Sequence, residues 1–125
     1  MNEETRKWIV QADKDLSTAV FASQSIDGPL PVTTGLHCQG SVEKLLKAYL
    51  HENQIAFSNN QYLNSLFESC IAADHSFENL RQDINQLAGY SIASRYPKAD
   101  ESLEFRTEAL SIVKRVREFI LNKLK

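Results

Sequence analysis

The chain has no apolar run long enough to matter to a membrane: its longest is a few residues, against the roughly 18 to 20 that cross a bilayer. The N-terminal MNEETRKW also lacks the charged-then-apolar pattern of a secretory signal, so a soluble, cytoplasmic protein with no membrane contact is expected. Cysteine is scarce. Cys38 and Cys70 both fall in segments that read as helix interiors, where a thiol behaves as a small buried hydrophobe in a reducing compartment, and no disulfide is expected. Charge of one sign is not in excess, since 14 Lys and Arg stand against 16 Asp and Glu. That balance denies the chain the broad basic footprint of a typical nucleic-acid binder and leaves room only for local contact with phosphate.

No stretch alternates with a period of two for long enough to form a strand, and no internal repeat or low-complexity tract is present. Metal-ligand spacing is missing as well. There is no C-x-x-C and no H-x-x-x-H, and His37 and His51, fourteen residues apart on one helix, would stand about 21 Å apart along its axis. Neither a metal nor a cofactor is called for.

What the chain does have is helical periodicity. Its 125 residues, 42% of them hydrophobic, suit one domain (1–125) that buries about two thirds of its unfolded surface in one core. Trp8, Ile9, Ala12, Leu16, Ala19 and Val20 keep helical spacing from Glu3 to about Ser25, where IDGPLP stops the helix. A second helix is expected from a Thr33 or Thr34 cap to about Asn53, and a third from Gln61 to Ala73 with Leu63, Leu66, Phe67, Cys70 and Ile71 inward. A shorter, more polar fourth segment spans Phe77 to Leu87. The stretch GYSIASRYPKAD then breaks the pattern, and Asp100 caps a last helix from Glu101 to about Leu124. Long helices with short connections predict an all-α, up-and-down bundle of four main helices plus a shorter fifth. The last helix is apolar on two sides, with Ala109, Ile112, Val113, Val116, Phe119 and Ile120 on one and Leu103, Leu110 and Leu121 on another, so it needs two neighbours, from its own bundle or a second subunit.

The second helix carries the most information. Val42, Leu45, Leu46, Tyr49 and Leu50 mark its apolar face, and winding at roughly 100° per residue puts His37, Gly40, Lys44, Lys47 and His51 on the opposite one. Gly40 removes a side chain where a backbone or ligand can approach, and Lys44, Lys47 and His51 at successive turns suit a phosphate or an acidic partner. The plainer reading is a solvated face with a Glu43–Lys47 pair. Arg95 and Tyr96 lie in the irregular stretch, where arginine can fork onto phosphate while tyrosine stacks on a base. Near the C-terminus, Lys114 and Arg117 could extend a basic surface, though cations there also balance the helix dipole.

The early D-L-x-x-A (Asp15, Leu16, Ala19), the segment H-C-Q-x-x-V-E-K-L-L-K-A-Y-L (His37 to Leu50) and S-R-Y-P (Ser94 to Pro97), in that order across nearly the whole chain, resemble a HEPN domain. The family is named for higher eukaryotes and prokaryotes nucleotide-binding. The resemblance implies a small helical bundle, commonly a homodimer, that often works beside a minimal nucleotidyltransferase in a toxin-antitoxin or nucleotide-handling pair. Members that are ribonucleases carry an arginine followed within a few residues by a histidine. This chain departs from them: Arg6 is the only arginine upstream of His37, His51 or His75, and no histidine follows Arg95. The family's frequent His-Asp-Leu at the third helix reads here as Gln61, Tyr62, Leu63. Cleaving RNA needs a group that trades protons near neutral pH, usually histidine.

The reading is therefore an accessory protein that binds a nucleotide, a nucleotidyltransferase partner or both. No catalytic residue is assigned, and Lys44, Lys47, His51, Arg95, Tyr96 and His37 are the candidate ligand contacts. An RNA-cleaving toxin and a purely structural adaptor are the alternatives.

Overall fold

A computed structural model describes the backbone of residues 1–24, 31–93 and 103–125, and the side chains of 1–24, 33–89 and 107–125. Helix α1 (Glu3–Ser23) starts where Asn2 accepts a hydrogen bond from the Thr5 N–H at 2.8 Å, with Glu3 and Glu4 complementing the positive end of the helix dipole. Helix α2 (Pro31–Glu52) opens earlier than the threonine cap predicted. Proline has no N–H to leave unpaired and a preset φ, so Pro31 begins this helix rather than merely ending the previous one. Thr34 is instead fully buried inside α2.

Helix α3 (Leu63–Ala73) follows, then a 3-10 turn (His75–Leu80) that Asp74 anchors by accepting from the Ser76 N–H at 3.0 Å and the Ser76 hydroxyl at 2.7 Å. Helix α4 (Arg81–Ala93) therefore begins four residues after Phe77 and runs past the expected end at Leu87. Gly89 weakens a helix by about 1 kcal/mol without breaking it, so α4 continues through it. Helix α5 (Leu103–Lys123) closes the described chain, and the Asp100 cap lies outside the described residues. All regular structure is helical, with no strand among the described residues.

Helix α2 is the hub, packed against α1, α3, α4 and α5. Its apolar set Val42, Leu45, Leu46, Tyr49 and Leu50 is buried as its periodicity predicts, joined by Leu66 and Phe67 of α3, Ile84 and Leu87 of α4, and Ile112, Val113, Val116 and Ile120 of α5. Phe77 is fully buried between Tyr49 and Phe119, with ring centroids 4.7 and 5.0 Å away. Leu110 and Leu121, on the second apolar side of α5, pack partly buried against this same core, whereas the side chain of Leu103 lies outside the described residues.

Contacts between α1 and α2 pair Thr5 with Glu52, Trp8 with Lys47, Ala12 with Ser41 and Asp15 with His37, so the two helices run antiparallel. Small residues let them close: Ala12, Ala19 and Ala22 are buried, and the Ser41 hydroxyl donates to the Ala12 carbonyl at 2.8 Å. On the other side, Asp83 with Arg115 and Asp74 with Lys123 show that α5 runs back along α4 and its preceding turn.

Candidate functional site

Asp15 organises the polar side of α2. It lies between Ala12 and Ala19 on the face of α1 that meets α2, and its side chain is only 15% exposed. A carboxylate in such a place needs partners, because desolvation disfavours its charge. His37 and Lys44, two turns apart on α2, supply them: Nδ1 of His37 is 2.8 Å from Oδ1, and the Lys44 ammonium donates to Oδ2. Gly40 lies between these two, one turn from each. A Cβ there would stand 3.0 Å from Asp15 Oδ2, so the missing side chain makes room for a carboxylate of the same chain.

The chemistry of this cluster follows from the acceptor. An ionised carboxylate can only accept, so Nδ1 of His37 carries the proton that faces Asp15 and Nε2 is left as the second functional nitrogen. With a neutral imidazole the Asp15 and Lys44 charges cancel. The His37 side chain remains 37% exposed and Lys44 31%, so both still reach solvent.

Lys47 takes a different role. Its ammonium stands 5.2 Å from the Trp8 ring centroid and 5.9 Å from that of Phe57, and the two rings meet edge to face at 5.9 Å. Such cation–π contacts are worth about 0.5–1 kcal/mol at exposed sites. His51 lies at the last turn of α2 beside a recess of about 440 Å³ that Asn2, Gln54 and Ile55 also line. Next to it, Glu52 ties α2 back to α1, accepting from the Asn2 N–H and the Thr5 hydroxyl at 2.9 Å each, and these bonds hold its carboxyl below the ordinary value.

The structure thus brings His37, Lys44 and Lys47 to the seam with α1 and leaves His51 at its end. Arg95 and Tyr96 lie outside the described residues. Sequence reasoning missed Asp15 and Trp8 as the partners of the stripe. The signal was there: an aspartate set among alanines at helical spacing is a charge on a face built for close approach. Cys38 and Cys70 are buried free thiols, both pushed up to about 12 by burial. Among the described residues no group of three or more His, Cys, Asp or Glu side chains is placed to hold a metal.

The basic C-terminal helix is likewise tied to carboxylates. Arg117 forks onto Asp13 of α1 at 2.8 and 3.0 Å, and Arg115 onto Asp83 at 3.0 and 2.9 Å. Lys114 and Lys125 border a groove of about 660 Å³ between α1 and α5, where Leu16 and Leu121 supply apolar surface and Asp13 and Glu118 negative charge. No described helix is long and apolar enough to cross a membrane.

An all-helical chain whose H-C-Q helix is the hub, and whose D-L-x-x-A helix locks onto it through Asp15, has the small helical build that the sequence resemblance implies. The chain belongs to the HEPN domain family, whose family model matches residues 5–124. That family is of the nucleotide-binding and ribonuclease type. Comparison with curated proteins and with solved structures gave no significant match.

Proposed function

We propose that this protein is a HEPN accessory module that binds a nucleotide, a minimal nucleotidyltransferase partner or both, and leaves covalent chemistry to that partner. In this reading it is a single domain, an up-and-down bundle of four main helices and a shorter fifth, acting in the cytoplasm as a homodimer within a toxin-antitoxin type of pair. The observation that carries it is where the described cations and imidazoles go. Arg81, Arg115 and Arg117 each fork onto carboxylates, and Lys44 and His37 share Asp15. The ribonuclease members that the chain resembles carry an arginine followed within a few residues by a histidine, and no arginine of this sequence is followed so closely by one. An anionic ligand at the stripe meets Lys44 and His37 as groups already oriented by Asp15, with Lys47 and His51 along the same helix and Arg95 and Tyr96 as further contacts.

Following the imidazole signals of His37, His51 and His75 by NMR during addition of ATP, then of a short RNA, tests this reading. Selective shifts at His37 or His51 with the RNA left whole support it; three silent histidines overturn the nucleotide part and leave a protein adaptor.

A second reading rests on one contact. His37, with Nδ1 held by Asp15 and Nε2 unassigned, has the arrangement of a proton-transfer group, which favours an RNA-cleaving toxin built on a non-standard pair. Under that reading His37→Gln or Arg95→Ala abolishes growth inhibition and RNA cleavage, whereas an accessory protein loses only part of its binding.

A further inference from the structure

Away from the α1 seam, a groove of about 400 Å³ runs over the start of α3, bordered by Gln39 of α2 and Ala88 of α4. Its volume is in the range of small-molecule sites. None of its lining side chains is charged, unlike the groove over Asp13, Lys114 and Arg117 or the one over Glu3, Arg6 and Lys7. Phosphate therefore has no counter-charge there. What the groove offers is neutral hydrogen bonding and one ring.

The carboxamides divide into two sets. Gln61 is committed, accepting from the Ser58 N–H at 2.8 Å and donating to the Ser65 hydroxyl at 3.0 Å, and so acts as a fixed wall. Asn60 and Asn64 make no side-chain hydrogen bond among the described residues, and Gln39 reaches only Glu43 at 3.3 Å. Each presents a donor and an acceptor side by side, the pattern that pairs with the edge of a purine.

Tyr62 completes the site. The residue is 68% exposed and occupies the N-cap of α3 without a side-chain capping bond, where serine, threonine, asparagine or aspartate would stabilise the helix. A sequence that forgoes a local rule in this way marks a place used for something else. An exposed ring beside unpaired carboxamides suits stacking on a base.

We infer that this groove takes the heterocyclic base of a purine nucleotide, with Tyr62 stacking on it and Asn60, Asn64 and Gln39 reading its edge. The inference rests on the nucleotide reading above and names the part of the nucleotide that this face of the bundle recognises.

The test adds adenosine, and separately ribose 5-phosphate, to the full chain while the side-chain amide signals of Asn60 and Asn64 and the ring signals of Tyr62 are followed by NMR. Adenosine shifts all three, ribose 5-phosphate leaves them still, and Tyr62→Ala or Asn64→Ala, both at exposed positions, weakens adenosine binding by about tenfold or more. Silence of the groove towards adenosine, or full affinity in both variants, overturns the inference. If ATP moves His37 or His51 while adenosine leaves the groove silent, the base site falls and the nucleotide reading stands. If ATP moves nothing anywhere, both fall.

Discussion

Asp15 shows how much a single side chain can organise. It accepts from His37 and Lys44 at once, in a gap that Gly40 keeps open. Hydrogen bonds to charged groups contribute about 1.5–3 kcal/mol when well shielded, and the partial exposure of His37 and Lys44 lowers that figure. Asp15→Ala should therefore cost about 1–2 kcal/mol, read as a lower urea midpoint at unchanged slope. An unchanged midpoint would mean that water already serves both cations as well as the carboxylate does. The buried thiols allow a second check at this scale. Because burial holds Cys38 and Cys70 at about 12, almost no thiolate exists at pH 8, and a thiol reagent should label neither until denaturant is added.

Among the elements, α2 decides the architecture because every other helix packs on it. Just past its C-terminus lies the positive-φ residue other than glycine among the described residues. Gln54 takes φ of 60°, a left-handed conformation that costs a side-chain-bearing residue roughly 1 kcal/mol, while its N–H bonds to the His51 carbonyl at 3.0 Å. Gln54→Gly should raise stability by about 0.5–1 kcal/mol in thermal or urea unfolding, and a loss instead would show that the glutamine side chain holds the turn. The helices themselves were legible in the sequence. Val42, Leu45, Leu46, Tyr49 and Leu50 mark one core face by spacing alone, and so do Leu63, Leu66, Phe67 and Cys70. What spacing does not carry is the identity of the neighbour on the polar side. Periodicity separates apolar from polar around α2, but whether His37, Lys44 and Lys47 meet water, a ligand or another helix depends on which residues of α1 come opposite, a pairing set some thirty residues away. Spacing likewise placed the candidate contacts His37, Lys44, Lys47 and His51 on one face of α2, while Asp15, Trp8 and the amide groove around Tyr62 depend on tertiary placement. Pro31 and the 3-10 turn at Phe77 were missed for a local reason, since proline can open a helix as well as end one, and apolar spacing looks alike in a 3-10 turn and an α-helix.

For the molecule as a whole, acid should be the sharpest stress. Asp74 joins α3, the following turn and α5: bonds from the Ser76 hydroxyl and N–H, with Lys123, hold its carboxyl down to about 2 against an ordinary 3.8. Its folded value is depressed, so the unfolded chain binds the proton more readily; the stabilisation is complete above about pH 4 and is lost as pH falls towards 2. Glu52, lowered by Asn2 and Thr5, and Glu78, lowered by Arg81, act in the same direction. Stability measured by urea unfolding should fall through this window, and Asp74→Asn should flatten the fall; a variant with an unaltered slope would clear Asp74 of the role. Assembly offers a separate check. The groove between α1 and α5 mixes Lys114 and Lys125 with Asp13 and Glu118, a self-complementary pattern suited to the proposed two-fold dimer. Sedimentation should find a dimer that Glu118→Lys, at an exposed position, weakens by leaving mostly positive charge there; a monomeric parent chain would remove the dimer from the reading. Trp8, the sole tryptophan, lies under Lys47 and against Phe57 where α1 meets the end of α2. The chain thus carries its own optical gauge: light emitted by that one indole reports whether α1 has peeled from its neighbour, even while the remaining helices stay closed and circular dichroism has yet to change much.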